Sequence, residues 1–292
     1  MDKRRVKQLV KKIIKLFVPE KRMIANVVSV DYNHLLQGRT ALITGGTSGI
    51  GYSIAIAFAK SGANVIITGH NQERLSKAVD SINGSLTDGL RGVRGIILDN
   101  IDVASFERKL EEILSQTTEG TLDILVNNAG LLGGNIDTTT VGEYNAIFNT
   151  NLRGAFFLSK VVARHMQENQ IHGNILNIAS SSSLRPAISA YTLTKWGLRG
   201  LTLGLAKVLA PYGITVNGLA PGPTATPMLN KDPNNITLNV NPMGRYAMPE
   251  EIANMAVVLC SGIGKMVVGD IVYMTGGAGL LTYDDVNYDL NF

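Results

Sequence analysis

Cysteine is almost absent from this chain. Cys260 stands alone among 292 residues, and one thiol cannot form an internal disulfide. The expectation is a reducing, cytoplasmic compartment. Cys260 itself reads as a small buried apolar residue on a late helix. The four histidines, His34, His70, His165 and His172, share no metal-site spacing. Charged residues make up only 17%, which argues against a disordered chain. No apolar run approaches the ~20 residues a membrane span needs.

What is abundant is apolar residues, at 45%, and glycine, 31 in all. That balance suits a compact α/β protein. The length allows one large domain or two small ones, and no linker, repeat or low-complexity tract divides it.

The net charge of +4 is unevenly spread. Residues 1–22 hold nine Lys/Arg against two Asp/Glu, while the rest holds 18 basic and 21 acidic residues. The basicity therefore belongs to an N-terminal arm, and no nucleic-acid partner is expected. In that arm Val6, Leu9, Val10, Ile13, Ile14 and Phe17 recur at helical spacing, and Pro19 stops the helix. A basic amphipathic helix of this kind suits an anionic membrane surface, with residues 3–17 as the contact, or packing on the body or a neighbouring subunit. It does not read as a signal peptide: Lys15 interrupts the apolar stretch and no small-residue cleavage site follows.

Beyond the arm, short apolar runs alternate with helical periodicity. Strands are predicted at 39–46, 64–69, 95–99, 122–130, 173–180, 214–222 and 270–277. Helices are predicted at 51–62, 71–82, 103–116, 141–169, 190–210 and 249–261. Such alternation implies βαβ crossovers and a parallel sheet covered by helices on both faces. Residues 223–248, with four prolines, form one long irregular insertion, a length often found in active-site lids.

The first strand runs into Thr44-Gly45-Gly46-Thr47-Ser48-Gly49-Ile50-Gly51, and a helix follows at once. Glycines let backbone approach a pyrophosphate, and the helix N-terminus offers free N–H groups and a positive dipole end. Asn127-Asn128-Ala129-Gly130 closes the fourth strand, Asn151 lies in the long helix, and Ser180 ends the fifth strand. Tyr191-Thr192-Leu193-Thr194-Lys195 opens the next helix, and Pro221-Gly222 follows the sixth strand. Tyr191 and Lys195 are four apart, so both lie on one helix face. A phenol beside an ammonium is a way to make a tyrosine acidic.

Together these motifs resemble the short-chain dehydrogenase/reductase family in its single-domain branch. The resemblance covers about residues 37–279. It implies a single doubly wound Rossmann-type domain of about seven parallel strands, with 1–36 as a basic extension and 280–292 as an acidic tail. It also implies hydride transfer between a nicotinamide cofactor and a carbonyl or secondary alcohol. Tyr191 would be the general acid/base and Ser180 the partner of the substrate oxygen. Lys195 would hold the nicotinamide ribose, and Asn151 would order a water that links Lys195 to solvent. Ser180 precedes Tyr191 by two residues fewer than in many family members, so Ser181 or Ser182 stays open as the serine. Gly45–Gly51, Asn128, Ala129, Gly130, Pro221, Gly222 and Thr224 would line the cofactor, with Asp99 and Asn100 near the adenine.

The second strand ends in His70-Asn71, with no acid to repel a 2′-phosphate and no arginine to grip one. NADP(H) is favoured and NAD(H) stays open. Leu131–Asn135, Leu184–Ile188 and Met228 onward would wall the substrate, with Arg185 a candidate for an anionic group. A homodimer or homotetramer through the two long helices is expected. The alternative is a dinucleotide-binding regulator without turnover, but such relatives usually lose the tyrosine or the lysine. Non-redox relatives would show a disrupted glycine turn, and nucleotide-sugar epimerases are generally longer.

Overall fold

The computed structural model describes residues 34–86, 92–117, 120–229, 236–238 and 241–278. The basic arm to residue 33 and the acidic tail lie outside the described residues. Seven strands form one sheet: β1 (Thr40–Ile43), β2 (Asn64–Gly69), β3 (Arg94–Ile97), β4 (Ile124–Asn127), β5 (Asn174–Ile178), β6 (Thr215–Pro221) and β7 (Ile271–Met274). Their order is β3-β2-β1-β4-β5-β6-β7, and every neighbouring pair is parallel.

The continuous apolar runs have the expected consequence. Alternate residues of each strand feed opposite faces of the sheet. Ala41, Ile43, Val65, Ile67, Ile124, Val126, Leu176 and Leu219 point to one core, which α1 (Gly49–Lys60), α2 (Gln72–Ser85) and α7 (Pro249–Cys260) cover through Ile54, Phe58, Leu75, Ile82, Ile252 and Ala256. Leu42, Ile66, Leu125, Ile175 and Val216 point to the other, covered by α3 (Phe106–Ser115), α5 (Gly154–Glu168) and α6 (Ala190–Leu209). Burying one Leu, Ile or Phe side chain contributes roughly 1.5–3 kcal/mol, so both faces are needed to hold the central strands. Cys260 closes α7, fully buried, and burial pushes its thiol up to about 12.

The predicted long helix over 141–169 is one rod with a defect. α4 (Val141–Phe148) starts at a capping box in which the Thr140 hydroxyl accepts from the Glu143 N–H and the Glu143 carboxylate accepts from the Thr140 N–H. A π turn at Asn149–Arg153 then widens the helix before α5. That turn carries Asn151 inward, buried at 1% exposure.

Sheet order reverses direction at β1, where β2 and β4 flank it on opposite sides. The loops after β1 and β4 therefore part at the carboxyl edge of the sheet. Open α/β folds bind ligands in this crevice.

Candidate active site

A cleft of about 490 Å³ opens there. Its first end is built from backbone. Gly45 and Gly49 have φ of +63° and +57°, a region L side chains avoid. Gly51 is needed for a different reason: a Cβ there would lie 2.3 Å from Asn128 Nδ2 and 2.6 Å from the Gly45 carbonyl oxygen. The Asn128 amide donates to the carbonyls of Thr44 (2.9 Å) and Gly45 (3.0 Å). The buried Thr44 hydroxyl accepts from the N–H groups of Asn128 (3.0 Å) and Ala129 (3.1 Å). These bonds clasp the glycine turn to the end of β4.

α1 begins at Ser48 with no side-chain cap and no acidic residue in its first turn. Its first N–H groups are left for a ligand, and the helix dipole favours an anion there. Gly45, Thr47, Ser48, Gly49, Ile50, His70, Asn71, Asn128, Ala129 and Gly130, all sequence candidates, come together at this end. A phosphate-bearing dinucleotide fits: the cradle is glycine and free N–H, and no Asp or Glu lines it among the described residues. Gly51 supports the turn from behind. Asp99 and Asn100 lie past β3, outside the cleft lining, where the Asp99 carboxylate accepts from the Ile101 N–H at 3.1 Å.

The second end is built from side chains. Ser189 caps α6 by accepting from the Thr192 N–H at 3.2 Å. The N–H groups of Ala190 and Tyr191 donate to the carbonyls of Gly134 and Gly133, so the loop after β4 is tied to the helix that presents Tyr191. Tyr191 and Ser180 line the same wall of the cleft, and the Ser180 side chain acts on the phenol to lower its pKa. Of the other serines, Ser183 is fully buried and donates to the Ser180 carbonyl at 2.7 Å, and Ser182 meets Ser180 Oγ at 3.1 Å. Ser180 is thus the serine that faces the phenol, with Ser181 and Ser182 also on the wall.

Lys195 Nζ lies 5.5 Å from the centroid of the Tyr191 ring and donates to the Ile178 carbonyl at 2.8 Å. Burial pulls its pKa down to about 8. At the Tyr191 phenol, burial pushes the pKa up and outweighs the lowering by Ser180. The ammonium is turned toward Ile178, and desolvation of the phenol dominates.

Asn151 is committed elsewhere. Its amide oxygen accepts from the Leu131 N–H at 2.7 Å, and its Nδ2 donates to the Leu131 carbonyl (2.9 Å) and to Thr194 Oγ1 (3.1 Å). The side chain joins the Leu131 turn to α6, and its neighbour Thr150 reaches the cleft. Pro221, Gly222 and Thr224 line the cleft below β6, and Thr224 Oγ1 donates to the Gly222 carbonyl at 2.9 Å. Arg245 and Glu251 close the end of the 223–248 insertion with paired contacts of 2.8 and 2.7 Å, and the hydrogen bonds from Arg245 pull the Glu251 carboxyl down to about 2.

Sequence reasoning missed Arg74, which lines the cleft beside His70 and Asn71. It sits in the first turn of α2, its N–H bonded to the Asn71 cap at 2.9 Å. A cation is disfavoured by the dipole at a helix N-terminus, and that misfit was the available signal.

The chain's residues 39–236 match the short chain dehydrogenase family. The (2S)-[(R)-hydroxy(phenyl)methyl]succinyl-CoA dehydrogenase subunit BbsD of Thauera aromatica is 35% identical over 84% of this chain and 98% of its own. The solved structure of 3-ketoacyl-(acyl-carrier-protein) reductase from Brucella melitensis, complexed with NADH, superposes with a TM-score of 0.75 at 32% identity, over 84% of this chain and 99% of that one. An NAD(P)-dependent protein from Beutenbergia cavernae, with bound NADP at low occupancy, superposes with a TM-score of 0.74 at 31% identity, over 84% and 98%. The family match, the relatives and the shared seven-stranded parallel sheet agree: this chain belongs to the short-chain dehydrogenase/reductase family, and it is an NAD(P)(H)-dependent oxidoreductase acting between alcohol and carbonyl.

Proposed function

We propose that Tyr191 is the general acid/base of this oxidoreductase and Ser180 its partner, working on a small carbonyl or alcohol substrate with NADP(H) as the favoured cofactor. The observation that carries this is the gathering of Ser180, Tyr191 and a buried Lys195, its Nζ 5.5 Å from the Tyr191 ring centroid, on one wall of a cleft whose other end is a glycine turn with free N–H groups. A nicotinamide dinucleotide, when bound, supplies or accepts the hydride. In the reducing direction Tyr191 Oη gives its proton to the substrate oxygen, and Ser180 Oγ donates a hydrogen bond to that oxygen as charge develops on it. The Lys195 ammonium stabilises the phenolate left behind, and the phenol is then reprotonated from solvent. In the oxidising direction the phenolate takes the proton from the alcohol. Lys195 would also hold the nicotinamide ribose, and Asn151 ties down the Leu131 turn.

Arg74 supports the NADP(H) preference. It lies in the cleft lining next to Gly69, His70 and Asn71, and its guanidinium makes no ion pair or hydrogen bond among the described residues. A 2′-phosphate is a fitting partner for it. The two long helices support pairing of subunits: Phe156, Leu203 and Val208 stand about half exposed on α5 and α6. No helix among the described residues is long and apolar enough to cross a membrane.

The test is a fluorescence titration of the purified protein with NADPH and with NADH, followed by turnover of simple ketones by wild type and Tyr191→Phe. The expected result is retained cofactor binding in the variant with kcat lowered about 10³-fold. Equal turnover by the variant would remove Tyr191 from its role.

A further inference from the structure

The substrate end of the cleft carries a charge that the proton-transfer chemistry does not use. Arg185 lines the cleft together with Ser180, Ser181, Ser182 and Tyr191. It is exposed, and its guanidinium has no hydrogen-bond or ion-pair partner among the described residues. No Asp or Glu is among the described residues that line the cleft, whose other cations are Arg74 at the cofactor end and Lys195 at its floor.

A solvated arginine on a loose loop would give the same exposure, but this loop is braced. The Arg185 N–H donates to the Ser182 carbonyl at 3.1 Å. Its carbonyl accepts from the Trp196 indole N–H at 2.9 Å. Arg199 lies 5.4 Å from the centroid of the Trp196 ring and donates to the Ser183 carbonyl at 3.4 Å. Trp196 and Arg199 belong to α6, the helix that carries Tyr191 and Lys195. Pro186 follows directly and restricts the Arg185 backbone to extended conformations. The base of the Arg185 side chain is therefore fixed relative to the reacting phenol, while its charged head stands free at the rim.

We propose that Arg185 is the specificity residue of this enzyme and that its substrates are carbonyl compounds, or the matching alcohols, that carry an anionic group at a distance from the reacting carbon. The anion pairs with the Arg185 guanidinium, in a cleft whose described lining holds no competing carboxylate. The apolar Leu131, Leu132 and Met228 on the same lining receive the carbon chain between the two ends. A free guanidinium recognises a carboxylate through two parallel N–H bonds, which fixes orientation as well as affinity. The inference rests on Tyr191 and Ser180 being the reacting end.

The experiment uses the full chain with NADPH and with NADH. Oxo acids from 3-oxobutanoate to 7-oxooctanoate are compared with their methyl esters, length by length, in wild type, Arg185→Gln and Arg185→Lys. In wild type, kcat/KM for the acid exceeds that for the ester by about ten-fold or more at the best-fitting length, mostly through KM. Arg185→Gln collapses that acid-to-ester ratio toward one, and Arg185→Lys keeps part of it. Esters reduced as well as acids by wild type, or a ratio unmoved in Arg185→Gln, overturns the role of Arg185 and leaves Tyr191 and Ser180 untouched. Bound cofactor with no turnover of either series overturns the assignment of the reacting end, and this inference falls with it.

Discussion

The two ends of the cleft are made in different ways. The cofactor end is backbone held by close contact: Gly51 packed against Asn128, a Thr44 hydroxyl clasping two N–H groups, an uncapped helix N-terminus. The other end, where the proposed chemistry lies, is built from side chains: a buried ammonium, a half-buried phenol and a braced arginine. The first end should tolerate changes of charge nearby and fail when volume is added. The second should tolerate changes of volume and respond when charge is removed.

The largest effect is expected at Lys195. Its pKa falls from 10.5 to about 8 on folding, because burial penalises the ammonium. Between those values the unfolded chain holds a proton that the folded chain has lost, so stability rises with pH across the window. Below pH 8 the penalty is fully felt. Over 2.5 pKa units it amounts to about 3 kcal/mol. Lys195→Met removes the penalty along with the bond to Ile178, and the loss of that bond is the same at every pH. Urea unfolding of both proteins at pH 7.5 and pH 10 should show wild type gaining on the variant as pH rises, while the variant loses activity at both. A difference that stays flat with pH would mean that the ammonium is not penalised, and the side-chain end would no longer stand apart by its charge.

A smaller effect tests the cofactor end by volume. Gly51→Ala drives a methyl to within 2.3 Å of Asn128 Nδ2, so the amide must leave its two carbonyls. Overpacking of this kind costs about 1–3 kcal/mol, and NADPH affinity in a fluorescence titration should fall by about ten-fold or more. Gly84→Ala is the control. Gly84 lies in α2 with open space around it, and alanine there should be neutral or add up to about 1 kcal/mol. Equal responses at the two glycines would erase the packing argument for the turn.

How much of this was legible in the sequence follows the same division. The sheet and helices were readable because apolar runs and helical spacing act locally. The 64–69 strand matches β2 residue for residue, and the 141–169 helix ends at Glu168 and differs inside by the π turn, which no spacing announces. The glycine turn was readable because its residues are contiguous and backbone-driven. Ser180, Tyr191 and Lys195 were legible as candidates, and the fold brings them to one cleft, yet the environment of Tyr191 was not legible. Its phenol is raised by burial, and burial comes from segments distant in sequence. Asn151 shows the same limit: its partners Leu131 and Thr194 meet only in the fold. Arg74 was passed over because the strand end was read for an acid or an arginine at His70 and Asn71, while the cation reaches the cleft one helical step later.

Arg74 also breaks the tidy division, since it is a charge at the backbone-built end, and it gives the mildest and most selective test. Its side chain is exposed, so a contact to a phosphate is screened by solvent and is worth less than a buried pair. Arg74→Gln keeps the length and removes the charge, and the Asn71 cap is untouched because it binds the Arg74 backbone N–H. NADPH affinity should fall by roughly ten-fold, in line with a charged hydrogen bond of about 1.5 kcal/mol. NADH has no 2′-phosphate, so its affinity should change much less. The loss for NADPH should shrink as salt is raised, because screening weakens the wild-type contact first. If NADPH and NADH weaken together, Arg74 acts on the shape of the α2 start and not on the phosphate. If NADH alone improves, repulsion was excluding it, and the preference is built by penalty at a distance from the glycine turn. Only a change that separates the two cofactors would place cofactor choice in the β2–α2 corner, apart from the glycine turn.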